Sequence, residues 1–152
     1  MPNVVLDATV LVSAFLTRGG VSDELLRHAR EGAFLVFLSE AIFAEVEHTL
    51  AYPRIRRRYP STDEDVRAFC EGLRTATSLV TDLPDTTAVP RDPNDDMVIA
   101  TARAARASYL ITRDRDLLIL QTYEDITILT PEAFMATLRT RRRDADEEPP
   151  PS

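Results

Sequence analysis

Four acids are spaced so that a folded chain can gather them: Asp7, Glu45, Asp96 and Asp114. Asp7 closes the apolar run Val4-Val5-Leu6, and Asp114 comes just after Tyr109-Leu110-Ile111. Short runs of this kind read as buried parallel strands. Ligands of open α/β sheets sit outside the carboxyl ends of the strands. Both acids therefore project from one sheet edge, side by side if their strands are neighbours. Asp96 opens an apolar helical segment, and Glu45 flanks the helical stripe Ile42, Val46 and Leu50, with Glu47 able to flank it on the other side. Each acid alone has a plainer role, as a helix cap or a surface charge. Together on one edge they repel by several kcal/mol unless protons or a cation neutralise them. An oxygen-only donor set favours Mg²⁺ or Mn²⁺. In an open acidic cleft such an ion suits phosphoryl chemistry.

Composition narrows the alternatives. The chain has 152 residues, 44% hydrophobic and 28% charged, which suits one soluble domain with a proper core. All 18 basic residues are arginine. The absence of lysine removes the phosphate-binding loop of nucleotide hydrolases and Schiff-base chemistry. A receiver domain also needs a late lysine. A phosphatase of the haloalkanoate-dehalogenase type needs a second Asp two residues after the first, where Thr9 stands. The lone Cys70 excludes an internal disulfide framework and a cysteine-based zinc cluster. No apolar run is long enough to span a bilayer, and no signal-peptide pattern opens the chain, so a cytoplasmic protein is expected. Net charge is −7, but four acids lie in the last nine residues, leaving −3 on residues 1–143.

The elements that must position the acids follow in order. After the first strand, residues 10–16 read as a short helix stopped by Thr17-Arg18-Gly19-Gly20, and a second helix runs from Ser22 to Gly32. Residues 34–38 form a second strand, and Ser39 caps a helix that ends at Tyr52-Pro53. The cluster Arg54-Ile55-Arg56-Arg57-Arg58 reads equally as a solvated helix end and as a phosphate-contacting surface. Another helix begins near Ser61-Thr62-Asp63, followed by a short strand at residues 78–80. Residues 83–93 are a proline-rich loop, residues 97–106 a helix and residues 109–111 a strand. Residues 126–129 make a fifth strand, and Thr130-Pro131-Glu132 opens a last helix. The alternation implies an α/β fold with a mostly parallel sheet covered by helices on both faces. Residues 1–140 are expected to be one domain and residues 141–152 a disordered, acidic, proline-rich tail.

Asp7-Ala8-Thr9-Val10-Leu11, Glu45 in the helix after Ser39, Asp92-Pro93-Asn94-Asp95-Asp96-Met97-Val98-Ile99-Ala100 and Leu110-Ile111-Thr112-Arg113-Asp114-Arg115-Asp116-Leu117 resemble the PIN-domain family. The likeness is strongest to its bacterial and archaeal toxins of toxin–antitoxin pairs, and it covers about residues 3–138. It implies a PIN-like three-layer α/β/α fold around a five-stranded, mostly parallel sheet. It also implies a Mg²⁺- or Mn²⁺-dependent endoribonuclease acting on single-stranded RNA. On this resemblance Asp7 and Asp96 hold the metal, while Glu45 and Asp114 complete the acidic pocket or orient the attacking water. Asp92, Asp95 and Asp116 stand beside these acids as supporting or alternative ligands, and Thr9 and Thr112 as polar support. Arg113, Arg115, Arg54 and Arg57 are the arginines expected to meet RNA. The family's first motif usually reads Asp-Thr-Asn or Asp-Thr-Ser; here Ala8 supplies no hydroxyl and Thr9 does. Expected partners are RNA, a small separately encoded antitoxin and a second copy of the chain in a dimer, with no membrane. The rival reading is a non-catalytic PIN-like module that docks RNA or protein.

Overall fold

The computed structural model describes residues 1–89 and 93–147. Its elements run β1 (Asn3–Leu6), α1 (Ala8–Leu16), α2 (Val21–Arg30), β2 (Leu35–Leu38), α3 (Glu40–Leu50), α4 (Pro53–Arg58) and α5 (Asp63–Ala76). They continue with β3 (Ser78–Leu79), α6 (Pro93–Ala104), β4 (Tyr109–Ile111), α7 (Arg115–Leu118), β5 (Thr122–Tyr123), β6 (Ile126–Leu129) and α8 (Pro131–Glu147).

The strands form one sheet in the order β3-β2-β1-β4-β6-β5, parallel except for β5. From β1 the chain moves outward to β2 and β3, returns through α6 to β4, then moves outward the other way. The direction of winding thus reverses between β1 and β4. At such a switch point the connections leave in opposite directions and a crevice opens at the carboxyl ends of the two central strands. Val4, Val5, Leu6, Leu110 and Ile111 are fully buried there, as central parallel strands covered on both faces require. Helix α6 lies against β1, β2 and β4, and α8 against β6 and α2. Phe134 of α8 meets Phe34 edge-on, with ring centroids 5.1 Å apart. Among the described residues no helix is long and apolar enough to cross a membrane.

Departures from the sequence expectations include the strand count, the start of α4 and the length of α8. The sheet has six strands rather than five; the addition is β5, two residues pairing antiparallel with β6 at the edge. So short a strand carries no readable alternation. Pro53 does not merely end a helix but starts α4 at its first position, where a missing N–H costs nothing. Helix α8 continues through Glu147, past Arg141, where the sequence suggests the chain leaves the fold. Phe134 and Met135 bury its first turns, Leu138 packs against the same core, and Arg141 sits 5.7 Å from the Tyr109 ring. No proline or glycine lies between Pro131 and Glu147. Residues 148–152 of the expected tail, and Asp92, lie outside the described residues.

Candidate active site

Asp7 is the residue after β1 and Thr112 the residue after β4, and the pairing Leu6↔Ile111 sets them abreast. The Asp7 amide extends the ladder to the Ile111 carbonyl at 2.9 Å. Side by side in a parallel sheet, the two side chains point the same way. The Thr112 hydroxyl accordingly donates to Asp7 Oδ2 across 2.7 Å. Thr9 donates to the same oxygen at 3.1 Å, and the Ala8 amide to Oδ1 at 2.7 Å. Asp7 is therefore both the cap of α1 and a buried carboxylate, 5% exposed. Burial pushes its carboxyl above the ordinary value of 3.8. The hydrogen bonds from Thr112, Thr9 and Ala8 work against that rise, and the charge of Asp114 adds to it.

Asp114 is fixed from the same strand end. Its amide donates to Thr112 Oγ1 at 3.0 Å, and its carboxylate caps α7 by accepting the Asp116 amide at 2.9 Å. The Arg113 amide between them donates to Thr9 at 3.2 Å, binding the loop after β4 to the start of α1.

A 320 Å³ cavity opens over these acids. Asp7, Thr9, Glu45, Thr49, Asp95 and Asp114 line it, with Ala8, Val12, Asn94 and Val98. Glu45 and Thr49 are one turn apart on α3, so one helix face presents both. The structure thus brings together Asp7, Glu45 and Asp114. It brings Asp95 to them and turns Asp96 away. Asp96 Oδ1 accepts the amides of Ala88 at 2.7 Å and Val89 at 2.6 Å, tying the preceding loop to α6. Asp95 is 5% exposed and lies one turn before the buried Val98 on the inward face. Consecutive helical residues point about 100° apart. One of two adjacent acids therefore faces the cavity and the other the loop. Thr49 and Asn94 line the cavity and are not among the expected site residues. For Thr49 the signal was available, a hydroxyl four residues after Glu45; for Asn94 there was only its place beside Asp95.

The donor set fits a hard divalent cation. It consists of carboxylate oxygens, and Asp95, Asp114 and Asp116 each offer one within 4.8 Å of the other two. This trio shares Asp95 and Asp114 with the cavity, and exposed Asp116 adds a carboxylate at α7. Burial raises the Asp7 carboxyl, and a neighbouring cation would oppose that rise and favour the charged form. A larger cavity of 510 Å³ lies between α2 and α8 and shares none of these acids.

The arginines divide. Arg113 forms a two-pronged pair with Glu132, at 2.8 and 3.2 Å. Arg56 is bound to the carbonyls of Leu50 and Ser61 and to Asp63, and so holds α4 to its neighbours. Arg54, Arg57 and Arg115 are exposed.

The PIN-domain family model matches residues 3–116, which include every cavity-lining side chain. The chain belongs to the PIN-domain family. No curated protein matches it. Two solved structures share the PIN fold with it at low identity. The crystal structure of VapBC2 from Rickettsia felis bound to a DNA fragment from their promoter aligns with a TM-score of 0.56 and 12% identity. That alignment covers 83% of this chain and 96% of the other. The T. brucei RRP44 PIN domain aligns with a TM-score of 0.50 and 14% identity, covering 96% of this chain and 86% of that one.

Proposed function

We propose that this PIN domain is a divalent-metal-dependent endoribonuclease. It would hydrolyse phosphodiester bonds of single-stranded RNA as the toxin of a cytoplasmic toxin–antitoxin pair. The observation that carries the catalytic reading is the cavity itself, which gathers Asp7, Glu45, Asp95 and Asp114 at the switch point of the sheet. The likeness to VapBC2, a two-component assembly by its name, supports a small antitoxin partner. A dimer of this chain is part of the same proposal.

In this reading Asp7, Asp95 and Asp114 would hold Mg²⁺ or Mn²⁺, with Asp116 at the rim, and Asp95 takes the role the sequence motif gives to Asp96. Such an ion supplies Lewis-acid stabilisation of the charge that develops on a phosphate under attack. The protein contributes rigidity and charge. Thr112 and Thr9 fix the rotamer of Asp7 by two hydroxyl donors on one oxygen. Glu45, half-buried on α3, faces the same space and is placed to accept a proton from an attacking water. Arg115, exposed beside Asp114, is the cation best placed to meet the RNA backbone.

The test is cleavage of a labelled single-stranded RNA with Mn²⁺, by wild type and by Asp7→Asn purified side by side. Metal-dependent cleavage by the wild type, abolished in Asp7→Asn and by chelation, is the expected result. RNA binding without cleavage under any divalent metal would overturn the enzyme in favour of a docking module.

A further inference from the structure

Glu45 and Asp95 belong to helices positioned by different neighbours. Helix α3 lies against α1, α4 and α5, whereas α6 lies against β1, β2 and β4. A buried polar contact joins the N-cap of α3 to α6. The hydroxyls of Ser39 and Thr101 are hydrogen-bonded at 2.9 Å, and both residues are buried, 2% and 0% exposed. The Met97 sulfur lies 3.8 Å from each hydroxyl.

Neither hydroxyl needs the other to escape being orphaned. Ser39 caps α3 by accepting the Ile42 amide, and Thr101 reaches the Met97 carbonyl in its own helix at 2.9 Å. Each hydroxyl has one proton and two lone pairs, so the bond between them is additional to local satisfaction. Its effect is to fix one helix against the other. Ser39 lies six residues before Glu45, and Thr101 six residues after Asp95. At 1.5 Å per residue, each acid stands about 9 Å along its helix from the shared contact. The helices leave that contact in opposite chain directions and carry their acids into the same cavity.

We propose that Ser39 and Thr101 form a positioning pair that sets Glu45 against Asp95. The assignment rests on the metal-site reading given above. Residues that orient ligands without touching the metal typically change metal affinity 10–100-fold when removed. A small misplacement of catalytic groups also lowers turnover steeply.

The test compares wild type, Thr101→Val and Thr101→Ser, with Ser39→Ala and the double variant Ser39→Ala/Thr101→Val completing a cycle. Thr101→Val keeps the shape and removes the hydroxyl; Thr101→Ser keeps the hydroxyl. Mn²⁺ affinity is measured by calorimetry, RNA cleavage under saturating Mn²⁺, and folding by thermal unfolding. Thr101→Val is expected to fold, to weaken Mn²⁺ binding about tenfold and to lower kcat about tenfold with KM within about twofold. Thr101→Ser is expected to behave as wild type. In the Ser39→Ala background, Thr101→Val should add no further loss, because the bond is already gone. A folded Thr101→Val with wild-type Mn²⁺ affinity and turnover overturns the proposal, as does a Thr101→Ser equally impaired. If wild type binds Mn²⁺ but cleaves no RNA, the nuclease reading falls and the Mn²⁺ affinities alone decide the pair. A wild type that binds no Mn²⁺ overturns both.

Discussion

Asp7 and Asp114, the acids that follow the two central strands, share one hydroxyl: Thr112 donates to the Asp7 carboxylate at 2.7 Å and accepts the Asp114 amide at 3.0 Å. The bond to Asp7 is buried, so its loss is not made good by water. Thr112→Val is expected to cost about 1–3 kcal/mol of stability. For a domain of this size that is roughly 2–4 °C in Tm per kcal/mol. It should also lower Mn²⁺-dependent cleavage, while Thr112→Ser keeps both. Thermal unfolding and a cleavage assay check this, and a Val variant as stable and active as wild type would remove Thr112 from the site's support.

Asp95 and Asp96 give opposite predictions although they are neighbours. Asp96→Ala leaves the Ala88 and Val89 amides without their acceptor, at a cost of about 1–3 kcal/mol. It should leave the response to Mn²⁺ intact. Asp95→Asn should remove that response, which in a metal-binding wild type would amount to about 2.7 kcal/mol at a hundredfold excess of metal over Kd. Melting curves with and without Mn²⁺ separate the two, and the reverse pattern would return the metal role to Asp96.

The buried Asp7 makes stability depend on pH in a definite direction. Its carboxyl is raised above 3.8, first by burial, so the folded state holds this proton to higher pH than the unfolded state does. The stability it contributes is complete below the ordinary aspartate range. That contribution is lost as pH rises through the folded value. The unfolding free energy of metal-free wild type, measured against Asp7→Asn, should therefore fall from about pH 4 upward and then level off. Mn²⁺ should recover the loss at neutral pH. A difference that grows with pH would mean that hydrogen bonds, rather than burial, dominate this carboxylate.

Arg113 is engaged by Glu132 through both prongs of its guanidinium. The pair is 37% and 56% exposed, so it adds at most about 1 kcal/mol to stability. Glu132→Gln should release the guanidinium and tighten binding of a single-stranded RNA roughly threefold at low salt. High salt should erase the gain. Fluorescence anisotropy across a salt series reads this; no gain at low salt means Arg113 does not meet RNA.

Much of this protein is written locally. Val4-Val5-Leu6-Asp7 specifies a buried strand ending in a cap, and Ser39 and Pro131 mark the starts of α3 and α8, because capping and φ preferences act within a few residues. The four motifs reach the fold family. Local rules do not reach the phase of α6. Asp95 and Asp96 are both acids in a first helical turn, and only the docking of Val98, Ile99 and Ala102 into the core decides which one faces the cavity. Nor do they reach the strand order, which places Asp7 beside Thr112 across 105 residues of sequence. The Ser39–Thr101 contact, 62 residues apart, is equally silent in the chain. Sequence sets each helix and strand through interactions between near neighbours. The register between elements is set by how their apolar faces pack, and only the folded core determines that.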